Sequence, residues 1–227
     1  MSPTLTELSL LETRVLGVLV EKQRTVPDTY PLTLNALLAG CNQKTSRDPV
    51  MSVTEAEVRM TVDRLRSLSL VVESSGGRVM RYAHNVERVL GVPSQAVALL
   101  AVLMLRGPQT IGELRINCDR LHRFADLSAV EGFLHELSAR PAGALVVELA
   151  RAPGSRETRW AHLLSGMPAV AVPAEVNVAA FGGELVTVGE IAVLKANVAE
   201  LQRDVATLRE TLARLCAELG SAGRNQV

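Results

Sequence analysis

Asn42-Gln43-Lys44-Thr45-Ser46-Arg47 sets six polar side chains in a row. Amides and cations in such a run suit phosphate oxygens and base edges. A second cluster, Arg120, His122 and Arg123, follows another short helical pattern further along the chain. Arg59 and Arg66 lie on a helical stretch after the first cluster, with Arg64 between them. Arg78 and Arg81 belong to one expected hairpin, and Arg151, Arg156 and Arg159 to another. Arginines on such hairpins reach a minor groove or hold phosphates. The candidate nucleic-acid-binding set is therefore Asn42, Gln43, Lys44, Arg47, Arg59, Arg66, Arg78, Arg120, Arg123 and Arg156. Each has a plainer alternative. Asn42 and Gln43 could tie down the backbone of a long connection, and hairpin charges guard strand edges against pairing.

Other chemistry finds little footing. His84 and His162 recur at matching places, but no carboxylate or cysteine stands at ligand spacing, so hydrogen-bonded structural histidines are expected. Cys41, Cys118 and Cys216 are odd in number and far apart, which suits neither a disulfide framework nor zinc. No glycine-rich phosphate loop, nucleophile elbow or paired-acid motif appears. The expectation is a non-enzyme with no cofactor and no metal.

The elements that carry these residues come as two copies of one unit. Leu70-Val71-Val72-Glu73 recurs as Leu145-Val146-Val147-Glu148, and Arg81-Tyr82-Ala83-His84 as Arg159-Trp160-Ala161-His162. Each pair predicts two strands joined by a turn, at Ser75-Gly76-Gly77 and at Ala152-Pro153-Gly154-Ser155. Upstream, Val58, Val62, Leu65 and Leu68 recur at helical spacing, as do Val130, Leu134 and Leu137. Thr54 with Glu57 and Ser128 with Glu131 predict capping boxes. Two earlier helices precede each of these. They are an amphipathic stretch from about Leu10 to Lys22 with Leu32–Leu38, and Ala96–Leu105 with a helix from Ile111 to Asn117 capped by Thr110. Three helices then a hairpin is the order of a winged helix. The fold class expected is mainly α with small β hairpins (α+β): winged-helix domains at 1–90 and 91–165, a linker over 166–183, a coiled-coil helix over 184–220 and a tail over 221–227.

The coiled coil rests on Ile191, Leu194, Val198, Leu201, Val205, Leu208, Leu212, Leu215 and Leu219, spaced three and four apart. Mostly β-branched residues alternate with Leu along this seam, which favours a parallel homodimer. The alternative is one amphipathic helix docked on its own chain.

Composition bounds the function. Apolar residues make up 48% of 227, while aromatics make up only 3%, so the cores must be aliphatic. Basic and acidic residues balance at 24 each, and no third of the chain departs far from neutrality. That argues against a protein wrapped in nucleic acid. The longest apolar run, Val97–Leu105, is about half of what a membrane span needs. The N-terminus carries no secretory pattern, so a cytoplasmic protein is expected.

Several strings are distinctive together. Pro31-Leu32-Thr33-Leu34-Asn35-Ala36-Leu37, Cys41-Asn42-Gln43-Lys44-Thr45 and Arg47-Asp48-Pro49-Val50 resemble the YceH-like family of bacterial proteins. So do Arg106-Gly107-Pro108-Gln109-Thr110, Gly112-Glu113-Leu114-Arg115, Arg120-Leu121-His122 and Arg159-Trp160-Ala161-His162-Leu163-Leu164-Ser165-Gly166. The resemblance covers about residues 8–166. It implies a tandem winged-helix protein of unassigned function, with no reaction or ligand. Two functions remain open. The leading one is regulatory binding of duplex DNA by a dimer; the alternative is a protein-interaction adaptor with no DNA contact. The first-turn acids Glu55, Glu57 and Glu131 favour their helices but repel a polyanion, and the second copy offers no cation there until Arg140.

Overall fold

The computed structural model describes residues 7–74, 79–151 and 157–168. All belong to the first of the chain's two units, Met1–Ala174. The linker beyond Pro168, the heptad seam, the tail, Arg78, Arg156 and the expected hairpin turns lie outside the described residues. What is described mixes helices with small antiparallel sheets.

The first copy opens with α1, Leu10–Thr25. Ser9 caps it reciprocally with Glu12: the Glu12 amide donates to Ser9 Oγ at 3.2 Å, and the Ser9 amide to Glu12 Oε2 at 2.6 Å. After a short 3-10 turn, Pro27–Thr29, comes β1, Leu32–Thr33, and then α2, Leu34–Cys41, capped by Thr33. The third helix, α3, spans Glu55–Ser67 and carries the expected Thr54–Glu57 capping box. Strands β2, Val71–Ser74, and β3, Arg81–His84, form the hairpin, and β1 adds to β3 to give the order β1-β3-β2.

A five-residue helix, α4 (Val86–Leu90), ends at Gly91 in the left-handed conformation and leads into the second copy. There α5 spans Ser94–Arg106, α6 Ile111–Cys118 and α7 Leu127–Ser138, followed by β4, Val146–Leu149, and β5, Arg159–His162. Thr110 caps α6 and closes a full capping box with Glu113. The cap of α7 corrects an expectation: it is Asp126, not Ser128. Asp126 Oδ1 accepts from the Ala129 amide at 2.8 Å, and the helix starts one residue before Ser128.

The repeat holds in detail. Val71 pairs with His84 and Glu73 with Tyr82; Val146 pairs with His162 and Glu148 with Trp160. Val58, Val62 and Leu65 are buried on α3, and Val130, Leu134 and Leu137 on α7. The structure adds a correspondence the sequence reading missed. Pro31-Leu32-Thr33 matches Pro108-Gln109-Thr110. Leu32 pairs with Tyr82 and Gln109 with Trp160, Thr33 and Thr110 both cap, and Leu37 and Leu114 are both fully buried.

The first helices of the two copies behave alike and unlike the expectation for α1. Every residue of α1 from Glu12 to Val20 is buried, and so is every residue of α5 from Ala96 to Leu105. A helix apolar on one face only would leave the other in water. Here the second face of α1 packs along α5, so one core runs through both copies. The approach is close at Gly17, where a Cβ would lie 2.8 Å from Leu105 Cγ.

Candidate nucleic-acid interface

The connection from α2 to α3 carries the donor-rich run, and Asn42, Gln43 and Arg47 are engaged by other groups of the chain. Asn42 Nδ2 donates to the Val53 carbonyl and Asn42 Oδ1 accepts from the Val53 amide, both at 2.8 Å, pinning the two ends of the connection together. Gln43 Nε2 donates to Thr45 O at 3.1 Å, while its Oε1 accepts from Lys22 Nζ at 3.3 Å. Arg47 is enclosed. Its guanidinium is fully buried and grips Glu21 with two bonds of 3.1 and 2.6 Å, the Gly40 carbonyl at 3.2 Å and the Ser46 carbonyl at 2.8 Å. A side chain so enclosed has no face to offer a phosphate. Burial works against the Glu21 carboxylate, but the Arg47 hydrogen bonds and charge outweigh it and hold Glu21 below the usual carboxylate range.

Sequence reasoning passed over Arg14, which is also fully buried. It donates to the Cys41 carbonyl at 3.3 Å and the Pro49 carbonyl at 2.7 Å. Burial, and then the like charge of Arg47, lower its pKa. The signal was present: Arg14 is three residues after Leu11 and four before Val18, on the apolar stripe itself. Of the whole loop, only Lys44 is an exposed cation, and no partner is found for it among the described residues.

The arginines of helix α3 are occupied. Arg59 is held by Glu55 at 2.8 Å, Arg64 by Glu12 at 2.6 Å, and Arg66 by Asp63 at 3.2 Å and by Glu73. Met60, on the same helix, is 71% exposed. The equivalent helix α7 contains no Lys or Arg; its exposed face shows Leu127, Glu131, His135 and Glu136. On the hairpins, Arg81 donates to the Thr29 and Pro31 carbonyls at 3.3 and 2.8 Å, fastening β3 to the start of β1. Arg159 faces Glu113 at 3.9 Å. In the second copy's α6–α7 connection, Arg123 lies 3.8 Å from Asp119, and Arg120 is exposed without a partner among the described residues.

The repeated histidines are enclosed. Burial pushes His84 and His162 down to about 4, so both are neutral near pH 7. His84 Nε2 meets Gln23 Oε1 at 2.7 Å, and the His84 amide donates to the Tyr30 hydroxyl oxygen at 2.7 Å. Burial raises the Cys41 and Cys118 thiols to about 12, which leaves them protonated. Among the described residues no group of three or more His, Cys, Asp or Glu is placed to hold a metal ion, and no helix is long and apolar enough to cross a membrane.

The family model described as protein of unknown function, DUF480, matches residues 8–155. A UPF0502 protein of Dechloromonas aromatica (strain RCB) is 59% identical over 212 residues, covering 93% of this chain and 97% of the relative. One from Methylibium petroleiphilum is 62% identical over 213 residues, covering 94% and 90%. One from Burkholderia lata is 57% identical over 222 residues, covering 95% and 91%.

Proposed function

We propose that this chain, which belongs to the family described as protein of unknown function, DUF480, is a tandem winged-helix protein that docks other proteins and makes no direct contact with DNA. The winged-helix reading is supported by the element order in each copy and by β1 joining β3, with the Gln109–Trp160 bridge in its place in the second copy. The observation that carries the docking reading is electrostatic. Duplex binding draws on unpaired cations facing phosphates. The three arginines of α3 are each held by a carboxylate, and α7 bears acids and no Lys or Arg. Exposed apolar side chains stand on or beside these helices instead: Met60 on α3, Ile116 on α6 (74% exposed) and Leu127 on α7. Large apolar residues at the centre of an exposed face suit a protein partner.

No reaction is assigned, since the enclosed histidines and protonated thiols offer neither a base nor a nucleophile. The sequence of the heptad seam from Ile191 to Leu215 supports a homodimer, which would present two tandem pairs. The test places a photo-crosslinking amino acid at Met60, Ile116 or Leu127 in cells. A discrete protein adduct that survives nuclease treatment is expected; adducts that vanish with nuclease would overturn the reading.

A further inference from the structure

The two connections that sequence analysis treated as separate phosphate contacts meet at the junction of the copies. Between them lies a recessed cavity of about 80 Å³. Glu21 and Thr25 of α1, Ser46, Arg106 of α5, and Asn117 and Arg120 at the end of α6 contribute to its wall, together with aliphatic side chains. Its charged wall residues are Glu21, Arg106 and Arg120. The Glu21 carboxylate is already neutralised by Arg47, with Lys22 3.2 Å away. Arg106 is fixed in place by donating to Ser46 Oγ at 2.7 Å, and Arg120 has no carboxylate partner among the described residues. Counting Lys22, Arg47, Arg106 and Arg120 against Glu21, and against Asp48, whose amide donates to the Leu105 carbonyl beside Arg106, a positive excess remains. Two arginines line one small recess, while the Thr25 hydroxyl donates to the Glu21 carbonyl and the Asn117 amide to Gln109, which leaves the guanidiniums as the donors suited to the oxygens of an anion.

We infer that this junction binds a small free anion, a phosphate or a carboxylate, gripped by Arg106 and Arg120. The recess is too small for a drug-sized ligand. The anion would touch both copies, so its binding would strengthen their junction. This site is independent of what the exposed helices dock, and its test does not depend on any macromolecular partner.

The experiment is calorimetric titration of the full chain with inorganic phosphate, and separately with acetate, in a low-salt buffer without competing anions. Saturable binding of one anion per chain is expected. Arg120→Gln should weaken it about tenfold or more, and Arg120→Lys by less, because a lysine keeps the charge but loses the fork. Arg120 is exposed, so neither variant threatens the fold. Tighter phosphate binding identifies a phosphoryl ligand, and tighter acetate binding a carboxylate; either supports the site. No saturable binding of either anion at high millimolar concentration, or binding unchanged in Arg120→Gln, would overturn it.

Discussion

Replacing Arg47 with alanine removes a buried guanidinium that makes two bonds to Glu21 and one each to the Gly40 and Ser46 carbonyls. The Glu21 side chain is 15% exposed and would keep only Lys22, 3.2 Å away. Breaking a buried pair costs roughly 3–5 kcal/mol, because one charge is stranded. Lys22 and the partial exposure of Glu21 place the expected loss at the low end, about 3 kcal/mol. With a urea dependence of about 2 kcal/mol per molar for a unit of this size, the unfolding midpoint should fall by about 1.5 M. Lys44→Ala is the internal control. Lys44 is exposed and unpaired among the described residues, so its removal should cost no more than about 0.5 kcal/mol. Circular dichroism through a urea series, run on both variants and the parent, measures the difference. An Arg47→Ala midpoint close to that of the parent would refute the buried-pair reasoning and return Arg47 to the surface.

His84 and His162 have folded-state pKa values near 4 against 6.5 unfolded, so the unfolded chain takes up protons first as pH falls. Stability should be full above about pH 6.5 and decline toward pH 4 by about 3 kcal/mol per histidine, and His162→Gln should flatten that slope in thermal melts; a slope unchanged in the variant would exclude His162 as a source. Gly40→Ala should lower the melting temperature by several degrees, because its Cβ would lie 2.5 Å from Val18 Cγ1. Valine is stiff, so an overpacking cost of about 1–3 kcal/mol exceeds the roughly 1 kcal/mol that alanine gains in a helix; a higher melting temperature would show that the contact relaxes. Leu201→Lys with Leu208→Lys should convert a dimer into a folded monomer in light scattering, and a monomeric parent would refute the seam as a dimer interface.

The repeat was legible because the hairpin strands keep their pattern: Tyr82 and Trp160, and His84 and His162, hold matching registers in the two copies. The strand β1 was not, since two residues carry no periodicity; only the match of Pro31-Leu32-Thr33 to Pro108-Gln109-Thr110 announces it. The burial of α1 on every side was also hidden, because its second face is covered by a helix some 80 residues away. The enclosure of Arg47 was hidden for a similar reason. A polar run reads as solvent-facing until the carboxylate that encloses it is known, and Glu21 stands on a different helix. The pairing of Arg59 with Glu55, by contrast, was within reach of the sequence, as charges four apart on one helix meet.

The central proposal is that helices α3, α6 and α7 face proteins and not DNA. Fluorescence anisotropy of a labelled random duplex of about 20 base pairs, titrated with the full chain from ~20 to ~200 mM salt, tests it most directly. The account predicts no saturable binding at the lowest salt. Binding that weakens steeply with salt, and whose slope flattens in Lys44→Ala or Arg59→Ala, would contradict it and place duplex DNA on the first copy.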